Sequence, residues 1–350
     1  MIFCGDIALP PKNELRVSEV PDAIRKELWV GNLEGSLIKG EQTNDFLREK
    51  KVFNHYDAVR DLIGFLNISC LGIANNHLKD AAPVRTTLDN LKTMGVPCIG
   101  AGQNYEESRR EICIGNYVII AFGWEGISCY PSTKSREGVN SYEKDEVLSQ
   151  AEVLLDKYPG KRIIPFMHWN YELELYPQPL DRELAHRLID MGVYAVIGCH
   201  AHRVQPIEIY KGHPIVYGLG NFAFMQGVYM NGNLKFPEIS HHEIAFEISD
   251  EGHFRLHHFL YDPQRQTVSY QKSSDVENAS FADLSSDEYK RFFKANRIQK
   301  KFLPIFYFED SKITYISKIK MVKFRQELIK CIIGNKKVFN AIKRVMSKLS

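Results

Sequence analysis

The stretch Tyr194–Phe224, YAVIGCHAHRVQPIEIYKGHPIVYGLGNFAF, decides the reading of the fold. It opens on Ala195-Val196-Ile197, an apolar run short enough for a buried strand. Gly198 closes the run, and His200 and His202 follow with one residue between them. Side chains alternate along an extended backbone, so both rings should face one way, with Cys199, Ala201 and Arg203 facing the other. Paired imidazoles at a strand end suit a divalent first-row metal. Taken alone, an H-x-H also reads as two loop histidines bonded to backbone or water. The remainder of the chain shifts that balance.

Working outward, the same arrangement recurs. Ile2–Ala8 reads as a strand carrying Gly5-Asp6, and Leu28-Trp29-Val30 leads into Gly31-Asn32-Leu33-Glu34-Gly35. Ile68–Ala74 runs into Asn75-Asn76-His77, with Asp80 three residues beyond the histidine. Arg162–Met167 stops at His168-Trp169-Asn170-Tyr171-Glu172. Strand ends are where ligand groups collect in open α/β sheets. Five apolar runs thus end at Asp6, Glu34, Asn76, His168 and the pair His200/His202. Oxygen and nitrogen donors mixed in this way favour Mn, Fe or Zn over calcium. Six ligands exceed what one open catalytic metal uses, so two divalent ions about 3.5–4 Å apart are expected, bridged by a carboxylate. His77 is then the candidate general acid, with Asp80 fixing its tautomer.

Between these runs the pattern is helical or hairpin-like. Residues 41–66 read as one amphipathic helix, with further helices at Thr86–Met94, Val147–Lys157 and Leu180–Met191. Hairpins are expected at 112–122, 206–219 and 243–260. No G-x-G-x-x-G opens a helix, so a dinucleotide site has no support. Seven cysteines without a C-x-x-C pair, including Cys4, Cys70, Cys113 and Cys199 in apolar runs, read as buried reduced thiols.

The formal charge of +2 hides an asymmetry: residues 290–350 carry 17 Lys and Arg against 3 Asp and Glu, and the rest of the chain 28 against 40. An acidic body with a basic helical tail is expected, joined by a polar linker at 264–290, so that 1–263 form one domain and 264–350 an extension. Such a tail suits an anionic membrane surface or an acidic polymer. A solvated helix packed on the acidic body is the alternative. Nucleic acid is not expected, since no recognised motif accompanies the charge. With neither a membrane-spanning run nor the basic start and apolar core of a signal peptide, a cytoplasmic location is expected, either free or peripheral at the inner membrane face.

The ordered motifs Gly5-Asp6, NLEG (32–35), ANNH-x-x-D (74–80), HW-x-x-E (168–172), G-x-H-x-H (198–202), QP-x-E (205–208) and LGNF (219–222) resemble the CapA family of capsule and poly-γ-glutamate synthesis proteins. That family is related to calcineurin-like metallophosphoesterases, and the resemblance covers about residues 1–260. It implies an α/β metallophosphatase-like fold, a four-layer α-β-β-α sandwich. It implies metal ligation by Asp6, Glu34, Asn76, His168, His200 and His202, with His77 as the catalytic imidazole and Glu172 as the family's motif glutamate. Asp80 and Glu172 are expected beside His77 in catalysis, Asn75, Arg203 and Asn221 are expected to bind substrate, and the basic tail is expected to contact a membrane or the polysaccharide machinery. The D-x-H usual among calcineurin-like enzymes reads Asp6-Ile7-Ala8 here, so one metal lacks a histidine. The implied activity is a two-metal hydrolase of phosphoesterase type in capsule or surface-polysaccharide biosynthesis, acting on a phosphorylated or acidic polymer or glycan. Amide-bond chemistry on poly-γ-glutamate, or a non-catalytic polymer-binding accessory role, are the alternatives.

Overall fold

The computed structural model describes residues 1–11, 15–40, 43–298 and 300–334. Two β-sheets face each other. The larger has nine strands among the described residues, in the order Arg16–Ser18, Thr267–Asp275, Phe254–Asp262, His242–Ile248, Ile2–Ala8, Trp29–Leu33, Ile68–Gly72, Cys98–Ile99, with Asn221–Phe224 also paired to Ile2–Ala8. The second runs Ile207–Tyr210, His213–Val216, Val196–Cys199, Arg162–His168, Tyr117–Gly123, Ile112–Ile114. The centre of each is parallel: Ile2–Ala8 with Trp29–Leu33 and Ile68–Gly72, and Tyr117–Gly123 with Arg162–His168 and Val196–Cys199. These strands are buried on both faces and read as nearly continuous apolar runs, as parallel strands must.

The sheets meet through side chains such as Phe3 and Phe166, whose ring centroids lie 6.0 Å apart. Outside them lie helices that bury one stripe each. Tyr56–Leu66 (through Val59, Leu62 and Leu66) and Val84–Met94 lie on the first sheet's side. Lys144–Lys157 and Pro179–Met191 cover the second. The result is the α-β-β-α sandwich expected. Because both parallel centres point their carboxyl ends the same way, Asp6, Glu34, Asn76, His168 and His200 gather at one edge.

Three expectations are corrected. Residues 41–66 are not one helix: within them Phe53–His55 is a strand parallel to Ser36–Ile38, and the long helix begins at Tyr56. A short strand is fixed by a non-local partner, which the helical spacing of Phe46, Leu47 and Val52 cannot report. The polar stretch at 264–290 holds the strand Thr267–Asp275, paired along its length with Phe254–Asp262. It reads as polar because most of its side chains stay partly or fully exposed, with Val268 buried. Cys113 is exposed rather than buried, whereas Cys4, Cys70 and Cys199 are buried.

The basic segment folds onto the body as far as it is described. Tyr289, Phe293, Phe306, Ile319 and Val322 are buried, while Ile298 and Phe302 are exposed. The remainder of the expected tail, 335–350, lies outside the described residues. No helix among the described residues is long and apolar enough to cross a membrane.

Candidate metal centre

Asp6 sits where the register slips between Cys4 and Asp6, so that it faces Asn32 on one neighbouring strand and Asn221 on the other. The slip leaves Gly5 against the Gly220 carbonyl, where a Cβ would come within 1.9 Å of the oxygen. A side chain there would push the Asn221 strand away from Asp6. The Asp6 carboxylate accepts from Asn32 Nδ2 at 2.8 Å and from the His200 backbone N–H at 3.1 Å. Its Oδ2 lies 3.4 Å from His202 Nδ1. Burial raises its pKa, with His202 opposing.

Glu34 is the centre's hub. It is fully buried, and neither carboxylate oxygen meets a hydrogen-bond donor. Its Oε1 stands 3.6 Å from His202 Nε2 and 3.7 Å from His77 Nε2. Burial, and then the neighbouring Asp6, Glu172 and Asp80, push its pKa well above the ordinary carboxylate value. A buried carboxylate without a donor is costly, and a cation is the partner that would satisfy it.

His168 ends its strand beside Cys199 in the next strand. Its Nε2 lies 2.9 Å from Asn76 Oδ1 and 3.1 Å from His200 Nδ1. Burial, followed by neighbouring histidines, pushes the pKa values of His168 and His200 well down, so both rings stay neutral and keep lone pairs for a metal. Two sets of ligand atoms therefore converge: Glu34, His168 and His200 in one, Asp6, Glu34 and His202 in the other, with the atoms of each set within 4.8 Å of one another. Asn76 adds an amide oxygen to the first. Glu34 belongs to both sets. Mixed oxygen and nitrogen donors of this kind suit a divalent first-row metal.

The histidine pair reaches this arrangement by another route than strand alternation. The strand ends at Cys199, and His200 and His202 have φ of 88° and 51°, the left-handed region that side chains other than glycine rarely adopt. Successive tight bends, not an extended backbone, turn both rings inward. Cys199 is not remote either: after burial, Asp6 is the largest influence raising its thiol pKa.

His77 and Asp80 stand at the mouth. His77 Nδ1 lies 2.6 Å from Asp80 Oδ2, which also accepts the Val52 backbone N–H at 2.9 Å. The ring is about one-fifth exposed, the most open of the centre's histidines. Glu172 lies at the rim, half exposed, with Lys300 at 3.7 Å.

The three residues expected to bind substrate have other partners. Asn75 spends its amide on backbone: Oδ1 accepts from Gly35 N and His77 N, and Nδ2 donates to Leu33 O. It ties two ligand-bearing loops together. Arg203 donates to the Leu173 carbonyl at 3.3 Å. Asn221 Oδ1 accepts from His202 Nδ1 at 2.9 Å, which leaves Nε2 as the ring's free lone pair, facing Glu34. Sequence reading noted Asn32 beside Glu34 but gave it no role; its bond to Asp6 and its 3.3 Å approach to His168 Nδ1 orient both. Its place two residues before Glu34 on a strand was the available signal.

A four-layer α/β sandwich with a carboxylate shared between two N/O donor sets defines the class: a protein built around a buried candidate dimetal centre. The model of the family "Bacterial capsule synthesis protein PGA_cap" matches residues 17–226, and the chain belongs to that family. It is 26% identical over 208 residues to the capsule biosynthesis protein CapA of Bacillus anthracis, spanning 56% of this chain and 50% of that protein. With the PGA biosynthesis protein CapA of Bacillus subtilis it shares 28% over 172 residues, 46% of this chain and 44% of the relative. A probable polyglutamine synthesis accessory protein of Mycobacterium tuberculosis is 33% identical over 166 residues, 43% of each chain. The chain thus spans about half the length of the curated relatives it matches. Among solved structures, the sulfate thiohydrolase SoxB of Thermus thermophilus gives a TM-score of 0.37 at 10% identity, over 77% of this chain and 42% of that one. TT1561 of Thermus thermophilus gives 0.35 at 10% identity, over 71% and 86%. Likeness at that level adds nothing to the fold described above.

Proposed function

We propose that the chain is a two-metal hydrolase of phosphoesterase type, serving capsule or surface-polysaccharide biosynthesis. One observation carries this reading: Glu34, buried without a donor, is common to both ligand sets, and His77 Nε2 stands 3.7 Å from it. Asp6, Glu34 and His202 would hold one ion, and Glu34, His168, His200 and Asn76 the other. When bound, two divalent ions supply Lewis-acid polarisation and charge neutralisation at the attacked centre.

The chain's own residues supply the rest. Asp80 accepts from His77 Nδ1–H, so the proton that moves is the one at Nε2, on the ring edge turned toward Glu34. Val52 N–H fixes Asp80 in turn, so the dyad is held before substrate arrives. Asn32 and Asn221 orient Asp6 and His202. The deep residues Asp6 and Glu34 are closed to solvent, and the neighbouring cavity reaches the centre at His200 and Glu172. The test is phosphate release from p-nitrophenyl phosphate and from phosphorylated glycans with Mn, Fe or Zn. Full activity after exhaustive chelation would sink the reading.

The names of the Bacillus subtilis and Mycobacterium relatives favour a second reading, amide-bond chemistry on a glutamate polymer. Cleavage of poly-γ-glutamate measured beside phosphate release separates the two. An accessory role predicts that His77→Ala still complements a capsule-deficient strain, whereas catalysis predicts that it does not. For the tail we propose contact with an anionic membrane surface, supported by exposed Lys312 and Lys320 beside Ile313 and Phe324. Failure of the full chain to co-sediment with phosphatidylserine vesicles at low salt would refute it.

A further inference from the structure

The segment after residue 296 lies beyond the family match, yet it forms a wall of the candidate site. A cavity of about 260 Å³ runs from His200 and Glu172 outward to Lys300, Leu303, Arg325 and Gln326. Those last four come from the segment itself, and the wall is anchored firmly. Arg297, buried, donates to Glu174 Oε1 at 2.7 Å and to the Leu303 carbonyl at 2.9 Å. Tyr171 O–H donates to the Pro304 carbonyl at 3.2 Å, and Trp124 Nε1–H to Tyr315 at 3.0 Å. A turn closed by Leu303 N–H onto the Lys300 carbonyl, at 2.8 Å, sets Lys300 at the rim.

The charges in the cavity do not cancel. Glu172 has Lys300 at 3.7 Å, and Glu125, on the same loop as the cavity residue Gly126, is taken by Lys323 at 2.5 Å. Arg325 has no carboxylate partner among the described residues. Its guanidinium lies 5.4 Å from the Phe302 ring centroid, a contact that orients the group without neutralising it. Gln326 accepts from Ser128 at 3.0 Å through its oxygen, which leaves its amide hydrogens as further donors. A planar guanidinium, an amide NH2 and a lysine at one end of a cavity whose other end is the metal centre match an anionic oxygen group.

We infer that Lys300 and Arg325 form a cationic subsite that holds an anionic group of a polyanionic substrate chain, whose next linkage is led past His200. The subsite rests on the hydrolase reading only for the direction in which the chain runs. Carboxylates and phosphates share the chemistry, so the two probes are γ-linked hexaglutamate and inorganic tripolyphosphate.

The experiment is calorimetric titration of the full chain in excess chelator, so that neither metal binding nor turnover contributes. Failure of the hydrolase reading leaves this readout untouched. The wild type is expected to bind at least one probe, and the tighter of the two identifies the group. Arg325→Glu should weaken binding at least tenfold, and Arg325→Gln and Lys300→Gln in the same direction by a few-fold. Lys92→Glu, the same charge change at an exposed position outside the cavity, should stay within twofold. Near-ultraviolet circular dichroism checks folding, and the glutamine variants carry the test if Arg325→Glu does not fold. No binding of either probe by the wild type would overturn the subsite. So would unchanged affinity in the cavity variants, or an equal loss in Lys92→Glu.

Discussion

Replacing Glu34 by Gln should invert the protein's response to metal. In chelator the wild type carries a buried carboxylate with no donor on either oxygen, next to Asp6. A buried polar group left unsatisfied costs about 1–3 kcal/mol, more when charged. The neutral amide removes the repulsion from Asp6, so Glu34→Gln should melt no lower than wild type in chelator. With metal the order should reverse. For a chain of 350 residues, about 2.1 cal/mol/K of unfolding entropy per residue gives about 0.7 kcal/mol per degree. An ion at a hundred times its Kd stabilises by about 2.7 kcal/mol, or about 4 °C, and two ions by about 7 °C. Because Glu34 is common to both ligand sets, one substitution should remove most of both increments. Differential scanning fluorimetry with EDTA, then with a Mn or Zn series, reads this directly. A Glu34→Gln protein that loses several degrees in EDTA yet still gains the full increment with metal would refute the bridging assignment.

Other outcomes follow from the same geometry. His77→Ala should lower kcat by about 10²–10⁴-fold with metal content unchanged, and Asp80→Asn by less, measured by phosphate release beside elemental analysis. Arg297→Ala should cost about 3–5 kcal/mol, because it strands the buried Glu174 carboxylate; urea midpoints check this, and a loss below 1 kcal/mol would contradict the pairing. Glu243 is buried with both carboxylate oxygens unpartnered, and burial pushes its pKa well up. Above the unfolded-state value near 4.5 the native state therefore holds a proton that the unfolded state has released. Stability then falls as pH rises from that value toward the native pKa. Glu243→Gln should flatten that fall and raise the urea midpoint at pH 8; a lower midpoint there would show that the acid is not held neutral.

Much of the candidate centre was legible because most of the residues that could hold a metal sit at the ends of apolar runs, a local signal. Glu34, Asn76 and His168 needed only the rule that ligand groups collect at strand ends, whereas Asp6 lies inside the strand Ile2–Ala8, at a register slip. The histidine pair was placed for the wrong physical reason, since bends in the left-handed region, not alternation, converge the rings. Asn75 and Asn221 were visible as polar residues near the site, but whether an amide faces substrate or a neighbouring loop depends on partners up to 42 residues away. The tail was the least legible part. Its charge count describes its surface, while Arg297–Glu174 and Trp124–Phe306 are contacts across more than 120 residues that composition does not encode.

Diffraction from a crystal soaked in Mn, collected at the manganese absorption edge, tests the central claim most directly. The account predicts two anomalous peaks about 3.5–4 Å apart, one among Glu34, His168 and His200 and the other among Asp6, Glu34 and His202. No peak at these residues, or a single peak that leaves Glu34 without a metal, would contradict it.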